Sequence, residues 1–390
     1  MKLLGITWRY ISFHKVKSLL LLLALALTFF LPVAAATLVS FYQNDLTRRA
    51  DATPLVIGAK GDRFDLVLRS LYFAGDAPQA LPYSKYEAMA AEGRGLAIPL
   101  HLEFTAGRLP LVATTPDYFP FRSLRPASGT LPLLVGDAVL GHTAAEKLGL
   151  AVGDTLPSDQ VNLYDLSAAY PLRMKVVGVL AAAGSPDDEV VFASLETAWV
   201  VAGLGHGHEK LDEDSAGGKL LGRGDGQVTA SAAVEQFIEI TPENIADFHF
   251  HGTRSELPIT AVLVVPDSSK ARTQLKAKYK TYNDVQILVP DEVIDEVLGL
   301  IFRVKRFFDA SFTLVLLAAL LFLTLIVMLS LRLRRRERET LFRIGCSRGT
   351  IALMQLTELG IIALGALVLA GAGAAVVTIF APDLASALGR

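Results

Sequence analysis

Residues 310–331 read ASFTLVLLAALLFLTLIVMLSL, an unbroken apolar run closed by the basic stretch Arg332-Leu-Arg-Arg-Arg336. A helix rises about 1.5 Å per residue and a bilayer core is about 30 Å thick, so a run of this length crosses a membrane. Two more runs match it, Ser18 to Phe41 near the start and Leu359 to Phe380 near the end. Between the first two lies sequence of ordinary globular composition. The sequence predicts an α-helical membrane anchor of three spans carrying a mixed α/β extracytoplasmic domain.

Composition agrees. Hydrophobic residues make up 52% of the chain and mean hydropathy is +0.43, too apolar for a wholly soluble protein and too polar for a many-span bundle. The net charge of -2 gives no sign of nucleic-acid binding. Charge is informative locally. Lys2, Arg9, Lys15 and Lys17 precede the first span with no acid among them, and Arg332, Arg334, Arg335, Arg336, Arg338, Arg343 and Arg348 lie between the second and third. By the positive-inside rule both segments are cytoplasmic and the large domain is outside. The only cysteine, Cys346, falls in the second basic segment, so the external domain has no disulfide and depends on its core. Ala34-Ala35-Ala36 offers a signal-peptidase site. The apolar run exceeds the roughly 7–15 residues of a signal peptide, which favours a retained anchor.

The expected divisions are a leader (1–17), a first span (18–41), an external α/β domain (42–290), a stalk helix continuing into the second span (291–331), a cytoplasmic loop (332–357), a third span (358–380) and an external tail (381–390). Within the domain, Leu55-Val56-Ile57, Leu96 to Phe104, Leu109 to Ala113, Arg173 to Leu180, Val190 to Phe192 and Ile259 to Val265 read as strands. His142 to Leu148 reads as a helix ended by Gly149. Gly203 to Gly226 is Gly-rich, lacks apolar periodicity and reads as a mobile loop.

Two chemical candidates stand out in the domain. His249 and His251 would share one face of a strand, close enough to share a metal ion. His206 and His208, beside loop carboxylates, would form a capture arm for zinc. The plainer reading, solvent-exposed loop histidines, stands ahead of metal handling. Asp187-Asp188-Glu189 follows Gly184-Ser185-Pro186 and reads as a solvated turn. Gly217-Gly218-Lys219 is followed by Leu220 and is no phosphate-binding loop, and no Gly-x-Ser-x-Gly or His-Glu-x-x-His pattern occurs. No enzyme is expected, and no cofactor beyond zinc.

The segment from Arg332 to Arg348 resembles the cytoplasmic loop of FtsX/MacB-type ABC transporter permeases. There an acidic residue is followed eight positions later by a glycine and a small residue, here Glu337, Gly345 and Cys346. Ile6 to Leu20 resembles the family's leader, Leu140 to Leu156 its external helix and turn, and Met174 to Leu180 with Val190 to Thr197 the strands that follow. The resemblance implies a permease subunit in a bacterial inner membrane, a homodimer, embedded in lipid. A separate ABC ATPase would dock at Glu337, Arg338, Glu339, Arg343, Gly345 and Ser347. Such permeases carry a fourth span, whereas this sequence stops at Arg390; a shortened coding sequence or a three-span variant is expected. Two rival readings remain: a signal transmitter acting on a periplasmic partner such as a cell-wall hydrolase, and a metal-handling membrane protein using the histidine pairs.

Overall fold

The computed structural model describes residues 2–132, 134–160, 171–208, 220–224, 227–230, 237–333, 339–340, 342–343 and 345–388. It divides into two units, Met1–Arg48 with Asp295–Arg390, and Arg49–Ile294.

The first unit is helical: Lys2–Phe13, most of Lys15–Asp51, most of Pro290–Leu333, and Arg348–Leu388. Leu25 and Ala26 pack with Ile362 and Ala366, and small residues set the approach. A Cβ on Gly365 would come within 3.1 Å of Leu22, and one on Gly373 within 3.0 Å of the Phe30 ring. Many of the other described apolar side chains face outward, with Leu321 73% and Ile379 71% exposed. Helices apolar on their outer surface suit lipid, since water would penalise that area at about 25 cal/mol per Å². Two helices, Lys15–Asp51 and Arg348–Ala381, qualify as spans among the described residues, rather than the expected three. The middle stretch, residues 310–331, lies in the continuous helix Pro290–Leu333, several of whose side chains fall outside the description. The last helix also begins earlier than the sequence suggested, at Arg348, so residues 348–357 are helix rather than loop.

The second unit is built on a mixed sheet. In spatial order its main path runs Val285–Leu288, Leu55–Ala59, Ala261–Pro266, Gly95–His101, Leu109–Thr114, Val191–Ser194, Asp137–Leu140, Arg173–Leu180 and Pro126–Gly129. Two pairings are parallel, Val191–Ser194 with Leu109–Thr114 and Asp137–Leu140 with Arg173–Leu180. Central strands covered on both faces should read as continuous apolar runs, and Leu55 to Ala59 is buried at every position. Arg173–Leu180 instead alternates, burying Met174, Val176 and Leu180 while Arg173 and Lys175 face water. Helices Ser84–Ala91, Leu195–Val201 and Ser269–Tyr279 contribute Met89, Trp199 and Leu275 to one core. The buried Trp199 indole donates to Pro258 O at 2.8 Å, satisfying its one polar atom.

Candidate functional site

Three places hold the side chains singled out above. The first is the segment leading into the last helix. Glu339 and Arg343 are exposed on helical backbone, while Glu337 and Arg338 lie outside the described residues. Gly345 has φ +99°, which an L side chain rarely adopts, and its N–H donates to Phe342 O at 3.1 Å. Two residues on, Ser347 Oγ accepts from Thr350 N at 3.1 Å and so caps helix Arg348–Leu388. The Arg348 guanidinium lies 5.5 Å from the Phe342 ring centroid, closing the corner. Ser347 therefore has a local structural task, as the cap of a helix that the sequence reading began ten residues later.

The second is a pair of short strands. Gly205–Gly207 pairs antiparallel with Phe248–Phe250, matching Gly205 to Phe250, His206 to His249 and Gly207 to Phe248. The expected loop thus contains a strand at one end and, at the other, Leu220–Gly224 paired with Gln227–Ala230. The pattern failed because glycine carries no apolar signal. Its partners do: a Cβ on Gly205 would meet the Phe250 ring at 2.6 Å, and one on Gly207 the Phe248 ring at 2.6 Å. Phenylalanine rings cover the glycines on one face of the ladder. Phe250 in turn meets the Trp199 ring edge-on at 6.2 Å.

Period-two alternation sends the histidines to the other face. The His206 ring centroid lies 4.8 Å from His249, 4.7 Å from His251 and 5.7 Å from His208, while His208 lies 5.2 Å from His249. One nitrogen each from His206, His208 and His249 fall within 4.8 Å of one another. His251 Nε2 sits 3.3 Å from His206 Nδ1, within hydrogen-bond reach for one choice of tautomers. His206 and His208 are half-buried; His249 and His251 are exposed. Burial first, then the neighbouring imidazoles, push the His206 pKa below its usual value, favouring the neutral ring. The two His-x-His pairs expected separately from sequence are one cluster.

The third was missed. Asp187 and Asp188 are not on a solvated turn; they are 1% and 8% exposed. Asp188 accepts from the N–H groups of Ala183, at 2.9 Å, and Gly184, at 2.7 Å, folding the turn around its carboxylate. Asp187 Oδ2 accepts from Arg49 Nη1 at 2.6 Å and Oδ1 from Arg49 Nη2 at 2.9 Å, while Tyr118 Oη donates to Oδ1 at 2.7 Å. Burial alone would raise the Asp187 pKa; the charge of Arg49 and the Arg49 and Tyr118 hydrogen bonds outweigh it and hold the carboxyl below its usual range. Burial and the Asp187 charge push the Tyr118 phenol well up, so it stays a donor. The arrangement is fully paired and offers no reactive group. Gly141 admits the turn, since a Cβ there would meet Asp187 O at 2.4 Å.

Residues 18–240 match the family model described as the MacB-like periplasmic core domain. Among solved structures, the chain is similar to the periplasmic region of MacB from Actinobacillus actinomycetemcomitans, with 12% identity and a TM-score of 0.34 over 65% of this chain and 97% of that one. It is also similar to the extracellular domain of the noncanonic ABC-type transporter YknZ from Gram-positive bacteria. There the identity is 11% and the TM-score 0.33, over 60% of this chain and 98% of the other. No curated protein matches the chain significantly.

Proposed function

The chain belongs to the family defined by the MacB-like periplasmic core domain, and from that premise we propose that it is the permease subunit of an ABC transporter whose ATPase is a separate protein. Membership makes it a membrane protein of the ABC-permease type with an extracytoplasmic domain. The finer reading has three spans, with the middle one in helix Pro290–Leu333, and the N-terminus and the Glu337–Ser347 segment in the cytoplasm. A second copy of the chain completes the permease, and a P-loop ATPase docks against Glu337, Arg338, Glu339 and Arg343.

The observation that carries this reading is the family match itself, which takes in most of the first long helix and the α/β domain as far as residue 240. The local geometry supports it. A capped helix start at Ser347, preceded by a turn at Gly345, is a stiff corner, and Glu339 and Arg343 are exposed beside it. Nucleotide-driven closure of the ATPases would push on such a corner. The continuous helix Pro290–Leu333 would carry the motion to the external domain, where substrate is extruded or released. No charge interrupts residues 310–331, so no polar route through the bilayer is marked there.

The test is a photoreactive amino acid placed at Glu339 in the membrane-embedded chain. The expected product is a crosslink to a protein carrying a P-loop. Crosslinks to lipid alone, with an equal reagent at Arg343 behaving the same way, would contradict the docking assignment.

A further inference from the structure

The histidine face of the Gly205–Gly207 and Phe248–Phe250 ladder is not used by the permease reading. Four of the chain's seven histidines sit there, although nothing in packing calls for them: the Phe face already meets Trp199, and the imidazole face has two exposed rings. Protonated, the four would repel one another; neutral, they present several ring nitrogens to one point.

We propose that His206, His208 and His249 coordinate one divalent d-block cation of the zinc class, with His251 holding the His206 ring and a fourth position open to water or an incoming ligand. Three observations carry it. The donor set is imidazole only, which suits zinc, cobalt, nickel or copper and disfavours magnesium and calcium, whose ligands are oxygens. The geometry is close. A zinc–nitrogen distance of about 2.0–2.1 Å places tetrahedral ligands about 3.4 Å apart, and the three nitrogens already lie within 4.8 Å of one another. The half-buried and exposed side chains can close that gap by turning about χ1 and χ2. His251 does not join the triad but reaches His206 Nδ1 at 3.3 Å. Coordination of His206 through Nε2 leaves Nδ1 for such a hydrogen bond, and partners of that kind fix ring orientation and tautomer. An exposed ligand and an open position describe a site that exchanges its ion with solution, in contrast to the closed four-ligand sites that hold folds together. The proposal does not depend on an ATPase partner.

The test uses the full-length chain in mild detergent, purified on an affinity tag free of histidine, stripped with chelator and titrated with Zn2+ alone. One equivalent is expected to bind saturably, and Co2+ in its place should give the intense visible absorption of a tetrahedral site. His206→Gln, His208→Gln and His249→Gln should each lower affinity by more than about 100-fold, and His251→Gln by about 10–100-fold with one-to-one stoichiometry retained. Absence of saturable binding to the wild-type chain, a measurement that needs no variant to fold, would overturn the proposal. So would one-equivalent binding that survives unchanged in the triple variant. Loss of the site in His251→Gln as complete as in His206→Gln would overturn the three-ligand assignment.

Discussion

Arg49 and Asp187, 138 residues apart in sequence, form a buried bidentate ion pair, with distances of 2.6 and 2.9 Å. Arg49 also donates through Nε to Leu71 O and lies 3.0 Å from Tyr118 Oη. It sits in the last turn of helix Lys15–Asp51, so the pair fixes that helix end to the turn Pro186–Glu189. The pair is fully desolvated and has its remaining polar atoms occupied, the condition under which such a bridge is worth its desolvation.

Removing one partner should therefore cost far more than removing both. Arg49→Met strands the Asp187 carboxylate and is expected to destabilise the domain by about 3–5 kcal/mol, whereas Arg49→Met with Asp187→Leu should recover most of that loss. Denaturant unfolding of the full chain, followed by Trp199 in a Trp8→Phe background, measures both. The pair also sets an acid limit. The Asp187 pKa is depressed on folding, so its contribution is complete above the unfolded carboxylate range and is lost as pH falls through the folded value.

His101 predicts a second pH dependence at milder acidity. It is 1% exposed, and burial pushes its pKa down to about 4. Its Nε2 lies 3.9 Å from the exposed Glu103 carboxylate, too far and too wet to offset that burial. Between about pH 6.5 and 4 the unfolded chain takes up a proton that the folded ring refuses, so stability falls as pH falls, by about 3 kcal/mol in all. The difference between wild type and His101→Gln across that window isolates the effect; parallel curves would contradict it.

Cys346 reports topology without added probes, being the chain's only cysteine. A membrane-impermeant maleimide should leave it unmodified in intact spheroplasts and label it in inverted vesicles. His249→Cys in a Cys346→Ser background should show the reverse. Labelling of Cys346 from outside would contradict the proposed orientation.

Gly207 tests what aligns the histidines. A side chain there collides with the Phe248 ring, and overpacking of this kind costs about 1–3 kcal/mol. Gly207→Val is expected to speed amide exchange around Phe248–Phe250, measured by mass spectrometry, while strands of the main sheet keep their protection. Unchanged exchange would show that the Gly–Phe contact does not hold the ladder.

Much of the fold was legible because its signals are local. Helix His142–Leu148 and strand Arg173–Leu180 have the bounds their periodicity and flanking glycine suggested. The burial of Asp187 was not legible, since only the sheet topology brings Arg49 and Tyr118 to a Gly-Ser-Pro-Asp turn that looks solvated on its own. The histidine cluster was half legible. Each His-x-His pair was visible, but Gly-His-Gly reads as loop until Phe-His-Phe is set opposite it. That complementary alternation, glycine against phenylalanine with histidine between, was the available signal. In the basic segment, the helical start at Arg348 was hidden by the Arg348-Gly349-Thr350 of its first turn, which carries no apolar signal.

A permease driven by a separate ATPase should bring that ATPase out of the membrane with it, so the decisive measurement is to purify the full-length protein from its native membrane in mild detergent and identify what accompanies it. The expected companion is a stoichiometric P-loop ATPase that is lost when Glu337 and Arg343 are replaced by alanine. A chain that purifies without any ATPase, or one whose ATPase is retained unchanged by that double replacement, would contradict that reading.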